Sequence, residues 1–258
     1  METVVNLGRE IAYEYSDRGG DATGICCVHG SGGSHAVWKS QNRLSDARPV
    51  VALDLSGHGN SNDVEADPGF STLSAYADDV IAVAEETDAT VLVGNSLGGA
   101  VILHILLERT FDPDAVVLVG TGARLGILGD LLEWLENDFE RAVEFIHGED
   151  RFFHDPDPRL VELSKAGMYD CGQDVTYRDF VTCHQFDVRD RLGEIDVPTL
   201  AVCGEHDQFT PPWYHEYLAD EIPTAEFDTI EDAAHLVMLE RPEAFNERVT
   251  AFLKSLGL

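Results

Sequence analysis

Short apolar runs recur along the chain, separated by longer segments whose apolar positions fall at helical spacing. The strand-like runs are Thr3–Leu7, Glu10–Tyr15, Gly24–Val28, Val50–Leu53, Thr90–Val93, Ala115–Val119, Thr199–Cys203 and Glu226–Ile230. Helical patterns fall near His35–Ser45, Thr72–Glu86, Leu97–Arg109, Trp213–Asp220 and Pro242–Leu256. Several of the runs are apolar at nearly every position, as strands covered on both faces must be. Strand and helix in alternation predict an α/β fold: a mostly parallel, eight-stranded sheet with helices on both faces. The first two runs have no helix between them and should pair as an antiparallel hairpin at one edge.

The rhythm breaks between Gly122 and Asp196, where helical segments replace strands: Ile127–His147, Pro158–Gly167 and Asp174–Phe186. This predicts a core of residues 1–121 and 197–258, with a helical cap, 122–196, inserted after the sixth strand as a lid over one sheet edge. The cap carries Trp134, Phe139, Phe145, Phe152, Phe153, Tyr169, Tyr177, Phe180 and Phe186. Most of these rings should pack the lid onto the body; a minority facing inward would wall an apolar pocket.

Chemistry concentrates at Val91-Leu-Val-Gly94-Asn95-Ser96-Leu97-Gly98-Gly99, a buried-strand run, then G-x-S-x-G, then an apolar helix. Ser96 stands at the tight point of that turn, where flanking glycines remove side chains that would clash. A serine hydroxyl needs a base to become a nucleophile. Of ten histidines, His235 follows the last strand-like run, and loops after parallel strands converge on one edge. His104, inside an apolar helix, reads as a packed residue. The carboxylate that would orient the imidazole is Asp207, after Thr199–Cys203, with Glu205 the competing acid in the same loop. Chain order is then Ser96, Asp207, His235. The loop His29-Gly30-Ser31-Gly32-Gly33 follows a strand directly, so the backbone N–H groups of Ser31 and Leu97 are the candidate oxyanion donors. The same loop lacks the spacing of a P-loop or a dinucleotide site.

Together, His29-Gly30-Ser31-Gly32-Gly33, Asp54-Leu-Ser-Gly57-His58-Gly59-Asn-Ser61, Gly94-Asn-Ser96-Leu-Gly98-Gly99, Gly204-Glu-His-Asp207 and Ala234-His235 resemble the α/β-hydrolase superfamily over essentially the whole chain. The resemblance implies a cap after the sixth strand and a serine nucleophile at Ser96, since the aspartate-nucleophile branches have Asp there. It implies a structural role for Asp54 and His58. It leaves esters, lactones and C–C bonds open as substrates.

Composition narrows the partners. The chain has 258 residues, 44% of them hydrophobic, enough for a core. Its formal net charge is −31, and only three lysines (Lys39, Lys165, Lys254) occur beside fourteen arginines. Nucleic acid is excluded as a partner, because binding it needs a positive face. The spread of acidic residues suggests a salt-rich cytoplasm, where molar salt shortens the Debye length to about 3 Å and quenches self-repulsion. No apolar run is long enough for a membrane span, and no signal peptide is legible. The five cysteines show no metal or dithiol spacing and read as buried thiols. Neither metal nor cofactor is implied, and no oligomeric state. The function expected is hydrolysis of small to medium carboxylic esters through an acyl-enzyme. C–C bond hydrolysis of ring-cleavage products, with Arg124, Arg151 or Arg178 holding a substrate carboxylate, is the enzymatic alternative. A non-catalytic ligand-binding module of the same fold is the alternative of another class.

Overall fold

In the computed structural model, which describes all residues 1–258, eight strands form one sheet. They are β1 (Glu2–Asn6), β2 (Arg9–Ser16), β3 (Gly24–Val28), β4 (Val50–Leu53), β5 (Ala89–Asn95), β6 (Ala115–Val119), β7 (Thr199–Gly204) and β8 (Ala225–Ile230). The spatial order is β1-β2-β4-β3-β5-β6-β7-β8. As expected, β1 and β2 pair antiparallel at an edge; β2 also meets β4 antiparallel, and every other pairing is parallel. Leu7, expected to end the first strand, instead forms the hairpin turn with Gly8. Both residues have positive φ (48° and 83°), the backbone of a two-residue turn matched to strand twist. The apolar character of Leu7 misled the periodicity, because its side chain is exposed.

Alternation within the central strands divides the core in two. Cys26, Val28 and Leu92 face one side, against α1 (Phe70–Glu86), α2 (Leu97–Glu108) and, further along, α7 (Pro212–Glu221). Ile25, Cys27, Val91 and Val93 face the other, against Trp38 of the 3₁₀ segment His35–Asp46 and Phe245, Val249 and Phe252 of α9 (Pro242–Ser255). Both faces of β3 are buried, so its sequence is apolar throughout rather than alternating.

Four helices lie between β6 and β7: α3 (Gly129–Asn137), α4 (Phe139–Ile146), α5 (Pro158–Cys171) and α6 (Gln173–Gln185). A short helix, α8 (Val237–Glu240), follows β8. The single helix expected over Ile127–His147 is two. Asp138 breaks it, leaving helical φ/ψ while its carboxylate caps α4 by accepting from the Arg141 N–H at 3.4 Å. Gly172, at φ 90°, separates α5 from α6. Four cysteines are buried free thiols, but Cys171 at the end of α5 is partly exposed, not buried as expected. No helix is long and apolar enough to cross a membrane.

The registers bring one set of strand ends together. Val28 pairs with Gly94, Asn95 with Val119, and Gly204 with Ile230. The loops after β3, β5, β6, β7 and β8 therefore share an edge. The chain reverses direction across the sheet between β3 and β5, and ligands of open α/β sheets bind at such a switch point.

Candidate active site

Ser96 closes β5 and opens α2 at φ 54°, ψ −115°. An L-residue accepts this conformation only when its surroundings enforce it. Four hydrogen bonds do so. The Ser96 N–H donates to the Val119 carbonyl (2.8 Å), the Thr121 hydroxyl donates to the Ser96 carbonyl (2.8 Å), and the Asn95 amide donates to the carbonyls of Val119 (3.3 Å) and His235 (3.2 Å). Glycine is required on both sides of the turn. A Cβ on Gly98 would overlap the Val28 carbonyl, and one on Gly94 would lie 2.5 Å from the Gly98 backbone. The Ser96 side chain makes no capping hydrogen bond and opens to a cavity.

His235 and Asp207 are brought together as expected. Asp207 Oδ2 accepts from His235 Nδ1 at 2.9 Å, and both side chains are buried. The other partners of Asp207 are the N–H groups of Phe209 (2.8 Å) and Thr210 (2.9 Å) on Oδ1, and the Thr210 hydroxyl (2.8 Å) on Oδ2. Burial pushes this carboxyl up, but the adjacent His235 ring and the Thr210 donors outweigh burial and hold its pKa below the ordinary value. An ionised Asp207 can only accept, so the His235 proton sits on Nδ1 and Nε2 keeps a lone pair able to accept. Glu205, the competing acid, is exposed and approaches only His206, at 3.8 Å. Phe152 stacks on the His235 ring at 5.6 Å, and the His235 and Leu236 N–H groups donate to the carbonyls of Arg151 and Phe152. The 122–196 segment is thus bonded directly to the loop that carries His235.

Ser96 and His235 line the same cavity, but no hydrogen bond joins them in this structure. Gly120 keeps the approach open: a Cβ there would lie 3.2 Å from His235 Nδ1 and 3.1 Å from the Asn95 amide nitrogen. Ser31 is on the cavity wall, and a Cβ on Gly30 would sit 3.1 Å from Ser96 Cβ, so the loop after β3 runs directly against the serine. The N–H groups of Ser31 and Leu97 are taken by no other group in the chain.

The cavity holds about 820 Å³. Of the aromatic residues in the inserted segment, Phe145, Phe152 and Phe180 line it, joined by Phe209, Trp213 and Tyr214 from the core. Trp134 instead packs on Phe145 at 5.2 Å under the Arg141 guanidinium, and Tyr169 is exposed. Of the three arginines considered for a substrate carboxylate, only Arg151 reaches the cavity. Its guanidinium lies over the Phe145 ring at 3.6 Å and donates to the Phe145 carbonyl at 2.5 Å. Arg178 is engaged by Asp63, and Arg124 lies 3.9 Å from Asp187.

Other polar residues support these loops. His215 Nε2 accepts the Thr121 N–H (3.0 Å), and burial depresses its pKa to about 4. His29 Nε2 accepts the Leu55 N–H (3.1 Å) while Nδ1 donates to the Gly30 carbonyl (2.9 Å); burial holds it neutral, with a pKa of about 4. Asp54 accepts from the His35 and Asn60 N–H groups and the His35 ring, in line with a structural role. Buried His104 contacts the Ser74 hydroxyl at 3.1 Å, away from the cavity. Asp150, His154 and His206 also meet, with the two rings stacked 3.6 Å apart and nearly parallel at 7°. Lone pairs in parallel planes do not converge on one point, so this arrangement is not a chelate. Sequence reasoning missed Thr210, Thr121 and Asn95. Thr121 and Asn95 act on backbone carbonyls and Thr210 on the Asp207 carboxylate, contacts that the fold alone creates.

Fold and edge together define the class as an α/β hydrolase. The alpha/beta hydrolase family model matches residues 27–248, and the chain belongs to that family; it is an esterase-like hydrolytic enzyme. The chain is 29% identical over 247 residues to a putative carbamate hydrolase RutD of Agrobacterium fabrum, covering 90% of this chain and 94% of that protein. It is 29% identical over 242 residues to a pimeloyl-[acyl-carrier protein] methyl ester esterase of Neisseria meningitidis serogroup A, covering 86% and 73%. Among solved structures, a thermophilic esterase aligns at TM-score 0.86 and 31% identity over 99% of this chain and 98% of its own. Est816, described as an N-acyl homoserine lactone degrading enzyme, aligns at 0.85 and 27% over 97% and 100%.

Proposed function

We propose that the protein is a serine hydrolase of small to medium carboxylic esters, with Ser96, His235 and Asp207 as its triad. The observation that carries this reading is the buried Asp207–His235 hydrogen bond facing a strained serine across one cavity. Ser96 Oγ attacks the ester carbonyl while its proton passes to His235 Nε2. Asp207 stabilises the resulting imidazolium. The carbonyl oxygen takes the negative charge and is met by the free N–H groups of Ser31 and Leu97, at the N-terminus of α2. The carbon–oxygen bond to the alcohol then breaks, and the departing oxygen receives the proton from His235. Water repeats the sequence: it loses a proton to His235, attacks the acyl carbon, and Ser96 leaves with that proton restored. The hydrogen bond donated by the Ser96 hydroxyl to His235 Nε2 forms in the substrate complex, where such catalytic bonds tighten.

The apolar walls and the cavity volume support an acyl group of moderate size. The relatives' ester and lactone substrates support the same bond, a lactone being a cyclic ester. C–C bond cleavage has less support, because the one arginine on the cavity, Arg151, lies over the Phe145 ring and donates to the Phe145 carbonyl. We further propose that residues 122–196 act as a lid on a core of residues 1–121 and 197–258, and that the enzyme works in a salt-rich cytoplasm. The test of the central claim is Ser96→Ala assayed on p-nitrophenyl esters of increasing chain length. Activity should vanish with the melting temperature nearly unchanged, and retention of wild-type turnover would overturn the assignment.

A further inference from the structure

Thr176, Asp179 and Cys183 lie three and four residues apart on α6, on one helix face, and that face is pressed against the loop after β3. Asp179 Oδ2 accepts the Gly32 N–H at 3.0 Å, and Cys183 Sγ lies 3.6 Å from the Ser31 hydroxyl. A Cβ on Gly32, whose φ is +64°, would meet Thr176 at 3.2 Å. Asp179 is wholly buried and its remaining valences are used. Oδ2 also accepts from His58 Nε2 (2.8 Å), and Oδ1 accepts from the Tyr76 hydroxyl (2.8 Å). One carboxylate of the inserted segment thus binds the loop after β3, the loop after β4 and helix α1. Its bond to Gly32 fixes the orientation of the peptide next to the Ser31 N–H, which no other group takes, and Ser31 lines the cavity.

We infer that Asp179 is a positioning residue for the oxyanion hole, holding the Gly30–Gly33 loop so that the Ser31 N–H is aimed at the developing oxyanion. This rests on the serine-hydrolase reading above. A carboxylate serving stability alone would need only His58 and Tyr76; the bond to Gly32, two residues past Gly30 on the wall beside Ser96, ties it to the reacting centre. Displacing a catalytic donor by about 1 Å lowers the rate by roughly 100-fold while sparing ground-state binding.

The test compares kcat and KM for one ester with the inhibition constant of a matched trifluoromethyl ketone, whose adduct with Ser96 carries an oxyanion. Asp179→Ala should lose roughly 10- to 100-fold in both kcat and ketone affinity at near-constant KM. Asp179→Asn, which keeps an acceptor for Gly32, should recover part of both. Tyr76→Phe removes only the Oδ1 partner and should lower the melting temperature while leaving the ratio of ketone affinity to KM unchanged. Should Asp179→Ala not fold, the ratio in Asp179→Asn decides: a loss of about threefold or more supports the inference. An unchanged ratio in the Asp179 variants of an active enzyme overturns it. A wild type inert to esters and to the ketone overturns the serine-hydrolase reading, and this inference with it.

Discussion

At the scale of single residues, the working state of His235 is decided by what Asp207 can accept. Its Oδ1 is already filled by two backbone N–H groups, so only Oδ2 faces the imidazole, together with the Thr210 hydroxyl. Asp207→Asn would place the introduced carbonyl toward those N–H groups and the introduced NH₂ toward the ring. Nδ1 would then have to accept, Nε2 would carry the proton, and no base would face Ser96. Ester hydrolysis should fall by about 10⁴-fold with structure retained, as measured by turnover and circular dichroism. Thr210→Val removes one buried donor to the same carboxylate. It should cost about 1–3 kcal/mol in denaturant unfolding and raise the acid limb of the activity profile, because Asp207 loses part of what depresses its pKa.

Between elements, two contacts hold the edge in register. The first is the packing of α2 on β3 and β5, close enough that a Cβ on Gly98 would overlap the Val28 carbonyl. Gly98→Ala should cost about 2–3 kcal/mol in unfolding free energy, because backbone rather than a flexible side-chain end must move. The second is the clasp from α6 to the loops after β3 and β4. Burial opposes the charge on His58, but Asp179 outweighs it and raises the His58 pKa well above its usual value, while Asp179 is lowered chiefly by His58 against its own burial. His29, Tyr76, Arg178, Cys171 and Cys183 are the other titratable or charged neighbours. The His58 contribution is whole below about pH 6.5 and fades as pH climbs through its raised value; that of Asp179 is whole above about pH 4 and fades below. The melting-temperature gap between wild type and Asp179→Asn should be widest from about pH 4 to 6.5 and narrow in alkali. A gap that grew above pH 8 would contradict the ion pair. These contacts also mark where the sequence stopped being informative. The strands, Ser96, Asp207 and His235 were legible because each of the three residues follows a strand-like run, and parallel strands must end together. Asp179 was not, since it lies in a helix of ordinary polar pattern, and only the docking of α6 turns that residue inward. The break at Asp138 was illegible for a similar reason: apolar spacing continues across it, and the cap shows only in the backbone.

Over the whole molecule, charge is the term that contacts do not balance. The surface is 10809 Å², and 48 acidic residues against 17 basic ones leave an excess of 31 negative charges, one for roughly every 350 Å², or neighbours about 19 Å apart. Many of the basic residues are paired locally, as Arg191 is by Glu108 and Glu194, or Arg248 by Glu226, and the excess of 31 negative charges remains after all of them are counted. With a Debye length of about 10 Å at 0.1 M salt, neighbours at that spacing retain about 15% of their repulsion, summed over the whole surface; at 1 M, where the length is about 3 Å, almost nothing remains. Unfolding lets the charges separate, so the cost falls on the native state. A few kcal/mol recovered by screening corresponds to a rise of roughly 10 °C for a chain of this size. The melting temperature should therefore climb by about that much between 0.1 and 1 M KCl and level off beyond, whereas equimolar sucrose, which cannot screen, should move it far less. A flat KCl curve, or one that sucrose reproduces, would show that the acidic surface imposes no electrostatic cost on the fold and would remove the argument for a salt-rich setting.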